Sequence, residues 1–252
     1  MARPQETAAK YVYGVVRARR GSRPRLAGIY DKPVKVVARD GLGALVSDVP
    51  DGPIDAGRDE LLAHSHVLER ALERGVVLPM RFGVVMPSEQ AVREALLAAH
   101  EAELRTQLDE MEGKVELNVK AIYEEQTILR EVLAENPEVA ELRRLLEGKP
   151  EEATYYERIR LGELVAEALG AKRAEDGRGL VDRLLPHALA VEVGNAVHER
   201  MAANASFLVE RDRLAEFDRA VNELGAEQAG RIRLKYTGPL PPHSFVELAV
   251  EA

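Results

Sequence analysis

KVELNVKAIY, Lys114–Tyr123, is the stretch on which the reading of the fold turns. Val115, Leu117, Val119 and Ala121 alternate with Glu116, Asn118 and Lys120, the period of two that marks a strand with one buried and one wet face. It follows Gly113 and a run of helical pattern, so it opens a second block of structure. A domain boundary therefore falls near Gly113, with an N-terminal α+β domain over residues 1–112 and a C-terminal α+β domain over residues 113–252. A chain of 252 residues has length enough for two such domains.

Toward the N-terminus, residues 1–9 read as an unstructured lead and KYVYGVVR (Lys10–Arg17), rich in Tyr and Val, as a strand. RARRGSRPR is an exposed loop broken by Gly21 and Pro24. VKVVAR (Val34–Arg39) and LGALVSDV (Leu42–Val49), joined by Asp40-Gly41, make a hairpin, and PDGPIDAG (Pro50–Gly57) a loop. From Arg58 to Arg74 the residues Leu61, Leu62, Val67, Leu68, Ala71 and Leu72 recur at helical spacing, and Gly75 ends the helix. VVLPMRFGVV (Val76–Val85) returns to strand character, and Ser88 caps a further helix running to about Met111. This order predicts helices laid over one sheet.

Toward the C-terminus, a charged helical segment spans about residues 124–187, interrupted at Asn136-Pro137 and Lys149-Pro150. Ile159, Leu164, Val165 and Leu169 give it a narrow apolar stripe, the pattern of a helical hairpin or short coiled coil projecting from a domain. ALAVEVGN (Ala188–Asn195) fits a helix tail or a short strand. ASFLVER (Ala205–Arg211) is a strand, RLAEFDRAVNELG (Arg213–Gly225) a helix, and RIRLKYTG (Arg231–Gly238) and SFVELAV (Ser244–Val250) two more strands. The fold class is α+β: two small sandwich domains of ferredoxin-like tendency, the second with a coiled-coil-like segment.

Net charge of −8 argues against a nucleic-acid partner, because no basic field is present to neutralise phosphates. Without cysteine there is no disulfide, thiolate nucleophile or thiolate metal site. No apolar run approaches the roughly 18–20 residues of a membrane span, and the start lacks the apolar core of a secretory signal; a cytoplasmic protein is expected. Of the six histidines only His64 and His66 are close, and at i,i+2 on a helix they point to different faces. No G-x-S-x-G elbow, dinucleotide fingerprint or phosphate loop is present. No cofactor, metal or catalytic residue is predicted, and the chain does not read as an enzyme.

Two segments stand out. In LPMRFG (Leu78–Gly83), Pro79 removes a ladder donor, which places this strand at an edge or on a bulge. Alternation sends Arg81 to the face opposite Met80 and Phe82, where it either pairs with a carboxylate or meets a partner. In KYTGPLPPHSFVEL (Lys235–Leu248), Tyr236 and Phe245 flank a corner stiffened by Pro239, Pro241 and Pro242. That corner is either a rigid connection between two strands or a docking surface.

These segments, with YVYGVV (Tyr11–Val16), VLPMRFG (Val77–Gly83), NASFLVER (Asn204–Arg211) and RIRLKYTGPLPPHSFVEL (Arg231–Leu248), resemble the gas vesicle accessory proteins of the GvpL/GvpF family. The resemblance runs from about Tyr11 to Leu248; it departs mildly at Gly177 and Gly179, which count against a continuous long helix, and at His243, where a tyrosine would be equally at home. It implies a non-enzymatic accessory role in forming the hollow shells that give some bacteria and archaea buoyancy. The implied partner is the small, very hydrophobic main shell protein, with other gas vesicle accessory proteins as further candidates, and the implied location is cytoplasmic and vesicle-associated. Pro79, Arg81, Phe82, Tyr236, Pro239, Pro241, Pro242 and Phe245 are the candidate contacts. A minor structural component of the shell is the alternative, and a small-ligand sensor or enzyme on a ferredoxin-like sheet a more distant one.

Overall fold

The computed structural model describes residues 8–18, 26–50 and 52–247. The expected lead over residues 1–7, the basic loop over 19–25 and residues 248–250 of the expected final strand lie outside the described residues. By packing, the chain divides into two compact units, one taking in the chain as far as Glu116 and again from Pro239, the other being Leu117–Gly238.

The first unit is built on strands β1 (Ala9–Arg17), β2 (Lys35–Arg39), β3 (Leu42–Val49), β4 (Val77–Pro79) and β5 (Val85–Met86), with helix α1 (Arg58–Leu72) between β3 and β4. The antiparallel sheet has the order β2-β3-β1-β4, and β5 also pairs with β1. The β2–β3 hairpin turns as expected at Asp40-Gly41, both with positive φ (45° and 85°) as its tight turn requires. Every residue of β1 from Ala9 to Val15 is buried, so both faces of this central strand are covered.

Between Val76 and Val85 the strand is interrupted and lies at the edge of the sheet, in keeping with the edge or bulge that Pro79 predicts. Pro79 lies opposite Gly14 and Val85 opposite Tyr11, so residues 80–84 face only Val12 and Tyr13. The surplus loops out as a bulge in a strand that lies on the edge of the sheet, with Gly83 at φ 94°. The expected single helix over 88–111 is likewise divided. Ser88 caps α2 (Glu89–Ala91) by accepting from the Ala91 N–H at 3.1 Å. A π-helical turn, Val92–Ala98, follows, in which the Ala99 N–H reaches back five residues to the Glu94 carbonyl at 3.0 Å. This wider turn goes with the burial of both Leu96 and Leu97, neighbours in sequence, before α3 (Glu101–Glu110) resumes.

The second unit holds β6 (Lys114–Tyr123, which starts at the end of the first), α4 (Glu125–Glu135), α5 (Pro137–Leu146), α6 (Tyr155–Leu184), β7 (Ala190–Val193), β8 (Met201–Glu210), α7 (Leu214–Glu227) and β9 (Ile232–Leu240). Its sheet order is β7-β8-β6-β9. The alternation in β6 holds: Leu117, Val119, Ala121 and Tyr123 enter a core with Leu180, Leu184, Phe207, Phe217 and Ile232. The helical segment breaks at Asn136, which is extended as a residue before proline prefers, and Pro137 opens α5. Helix α6 packs on α4, α5 and β8. It runs unbroken through Gly177 and Gly179, the two residues that count against a continuous helix in the sequence. At Gly177 a Cβ would lie 2.8 Å from the Ala202 carbonyl oxygen, so glycine there lets the helix approach β8.

Charges on these helices are organised by Arg231 just before β9. Its guanidinium meets Asp176 at 2.8 Å and Glu131 at 2.9 Å, Lys172 meets Glu131 at 3.2 Å and Glu135 at 2.7 Å, and the Tyr123 hydroxyl donates to Asp176 at 2.6 Å. One cluster thus ties together α4, α6 and the end of β6.

The expected last strand is absent over its described part. The His243 N–H donates to the Pro241 carbonyl at 2.8 Å and the Phe245 N–H to that of Pro242 at 3.2 Å, folding the chain into a turn. The donors of Ser244 are spent on Glu116, so they are unavailable to a ladder.

Candidate functional site

The signature segments of the first unit converge on His64. Tyr11 on β1 shares a 2.8 Å hydrogen bond with His64 Nδ1, and its hydroxyl accepts from the Gly83 N–H at 3.2 Å. The His64 ring also donates to the Met80 backbone, which puts its proton on Nε2 and leaves Nδ1 to accept from the Tyr11 hydroxyl. Tyr13 donates to Ser47 at 2.9 Å and accepts from the Ile29 N–H at 2.8 Å. The Phe82 ring sits edge-on to Tyr11 and His64, with centroids 5.9 and 5.7 Å apart. The bulge of LPMRFG is therefore pinned from below by its aromatic ring and a glycine amide.

Burial pushes His64 down to about 4, with the charge of the nearby His243 adding to the effect and the Met80 hydrogen bond opposing it. Burial also pushes both phenols, Tyr11 and Tyr13, above the ordinary tyrosine range. The base of the site is thus neutral at physiological pH.

The C-terminal segment is anchored in the same unit. The Glu116 carboxylate, only 4% exposed, accepts from the Ser244 N–H at 2.7 Å and the Ser244 hydroxyl at 2.9 Å. Gln107 donates to the Glu247 carbonyl at 2.9 Å. Pro241 and Pro242 are buried.

Pro79, Arg81 and Phe82 form one continuous feature. The Tyr13–Met80 hydrogen bond fixes the ladder phase, and by that phase the ring nitrogen of Pro79 faces the free edge of the sheet. The proline so removes one donor from an otherwise pairable edge. Arg81 is exposed and makes no hydrogen bond or ion pair with any described residue, so the alternative of a carboxylate-paired arginine has no partner among them. Phe245 is half-buried and Pro239 exposed. Tyr236 belongs to the second unit, where its ring stacks on Phe217 at 6.1 Å and its hydroxyl donates to Asp218 at 2.7 Å.

Sequence reasoning overlooked the roles of His64 and Glu116. The expected apolar face of α1 includes Leu61 and Leu62, yet these are 43% and 57% exposed, while His64, Val67, Leu68 and Leu72 are buried. The spacing i, i+3, i+4, i+8 from His64 was the available signal. Glu116 alternates with apolar neighbours as a wet residue should, and only a partner 128 positions away explains its burial. Among the described residues no three His, Asp or Glu side chains come together to hold a metal ion. Among the described residues no helix is long and apolar enough to cross a membrane.

Comparison with known proteins gives a consistent picture. The family model described as "Gas vesicle synthesis protein GvpL/GvpF" matches residues 9–247. Gas vesicle protein F of a Streptomyces species is 40% identical over 94% of this chain and 99% of its own length. Gas vesicle protein L of the same source is 27% identical over 96% and 94%. The crystal structure of GvpF from Anabaena sp. PCC7120 superposes with a TM-score of 0.81, at 26% identity, covering 96% of this chain and all of that one. That of GvpF from Microcystis aeruginosa gives 0.78 at the same identity and coverage.

Proposed function

The chain belongs to the gas vesicle synthesis protein GvpL/GvpF family, and from that premise we propose that it binds the main, very hydrophobic shell protein and assists its nucleation or assembly without catalysing a reaction. An apolar, β-prone shell protein is an aggregation hazard until it is built in. A soluble, acidic chain that holds such copies and delivers them to a growing edge removes the hazard.

The observation that carries this reading is the bulge on the edge of the first sheet. There a half-buried Phe82 adjoins an exposed Arg81 without a partner among the described residues. A rigid aromatic beside an uncommitted guanidinium is the composition of a binding hot spot. Because Pro79 leaves the edge one donor short, side chains rather than strand addition supply the contact. Phe245 and the exposed Pro239 are secondary candidates, and Tyr236, committed to Phe217 and Asp218, is a weaker one.

Pull-down of the shell protein by the full chain tests this. Arg81→Ala touches no described partner and leaves folding intact, so capture falls several-fold if the bulge is the contact. Phe245→Ala has the smaller effect. Undiminished capture by a folded Arg81→Ala protein sinks the site, and no capture by the unaltered chain sinks the function.

A further inference from the structure

A cavity of about 340 Å³ opens in the first unit, away from the bulge, where β1, β2 and β3 meet the end of α1. Its walls are apolar, formed by Val16, Val36, Leu45, Ala71 and Val76. Its charged residues are Arg17, Arg70, Arg74 and Glu112. A concave apolar body with a few charged groups is the usual form of a small-ligand site, and this volume lies at the low end of that class.

The charges at the mouth are unequal in what they have left to offer. Arg17 is held by Asp109, and by Glu112 at 3.5 Å. Arg70 is held by Glu73 at 2.5 Å. Arg74 is exposed and has no side-chain hydrogen bond or ion pair with a described residue. Among the described residues that line the cavity, the one carboxylate is thus engaged by Arg17, and the one uncommitted charge is the Arg74 guanidinium. The end of α1 brings a partial negative charge of about half a unit to the same place, and with Arg17 and Arg70 paired to carboxylates it is Arg74 that offsets it.

We propose that this cavity binds an aliphatic monocarboxylate, its chain against the valine and leucine walls and its carboxylate on Arg74. A guanidinium takes a carboxylate through two parallel hydrogen bonds, while each methylene taken from water adds to affinity. A cationic amphiphile finds no uncommitted carboxylate among the described lining residues, and a neutral one leaves the fork of Arg74 unused. The site is independent of the shell-protein reading, and its test involves no shell protein.

Calorimetric titration of the full chain with decanoate, below its micellar concentration, tests the proposal, with decanol and decyltrimethylammonium as comparators. Decanoate binds saturably at one site, decanol more weakly, and the ammonium compound neither binds nor competes. Arg74→Gln, at an exposed position, keeps the fold and weakens decanoate binding about tenfold. Ala71→Trp, checked for folding by circular dichroism, fills the cavity and abolishes binding. Absence of saturable decanoate binding, equal binding of the ammonium compound, or unchanged affinity in a folded Arg74→Gln protein overturns it.

Discussion

His64 couples the chemistry of one residue to the state of the whole first unit. Its ring is 5% exposed and carries a hydrogen bond from Tyr11 that requires a neutral Nδ1. The unfolded chain takes up a proton at this residue near pH 6.5, the folded chain only near 4. Between those values the unfolded state holds more protons, so stability falls as pH drops through that window, by roughly 3 kcal/mol in all. Urea unfolding at pH 7, 6, 5 and 4.5 measures this, and His64→Asn flattens the slope even though it lowers stability throughout. A slope identical to that of the unaltered chain contradicts it. The sequence carried only the spacing of His64 with Val67, Leu68 and Leu72, and which face of α1 meets β1 decides between that stripe and the one through Leu61 and Leu62. Tyr11 and Phe82, by contrast, lie in the segments quoted at the outset.

The elements were read best where periodicity was long and local. The strand Lys114–Tyr123 has the bounds its alternation predicted, and the Asp40-Gly41 hairpin turns where expected. In the strands, pairing partners distant in sequence decide whether a short apolar run continues. Residues 80–84 look like strand but have only Val12 and Tyr13 opposite them. Helix α6 contains two glycines that sequence treats alike and packing does not. Gly177 faces the Ala202 carbonyl, with a Cβ position 2.8 Å from its oxygen, whereas a Cβ at Gly179 has nothing within 4 Å. Gly177→Ala is therefore expected to cost about 1–3 kcal/mol by overpacking. Gly179→Ala is expected to gain about 0.5–1 kcal/mol through helix propensity. Midpoints of urea unfolding shifted in opposite directions bear this out; equal shifts contradict it.

For the whole molecule, element order was enough to reveal two α+β blocks and a helical segment, because each block repeats strands and helices on its own. The path of the tail was not legible. The Pro-rich corner reads as a link between two strands, whereas after Pro242 the chain turns and Ser244 binds the buried Glu116. Ser244→Ala removes one of two donors to a buried carboxylate, an expected cost of about 1.5–3 kcal/mol. Amide hydrogen exchange over 243–247 should accelerate with it, and unchanged protection there would contradict a tail anchored by Ser244. The account's central claim, that this family member holds the hydrophobic shell protein before it is built in, is tested most directly by light scattering. Denatured shell protein is diluted into buffer with and without a near-equimolar amount of the full chain. Suppressed scattering, a complex of the two on size exclusion and a weaker effect with Arg81→Ala are expected. Scattering that rises equally in both samples, with the chain eluting alone, contradicts it.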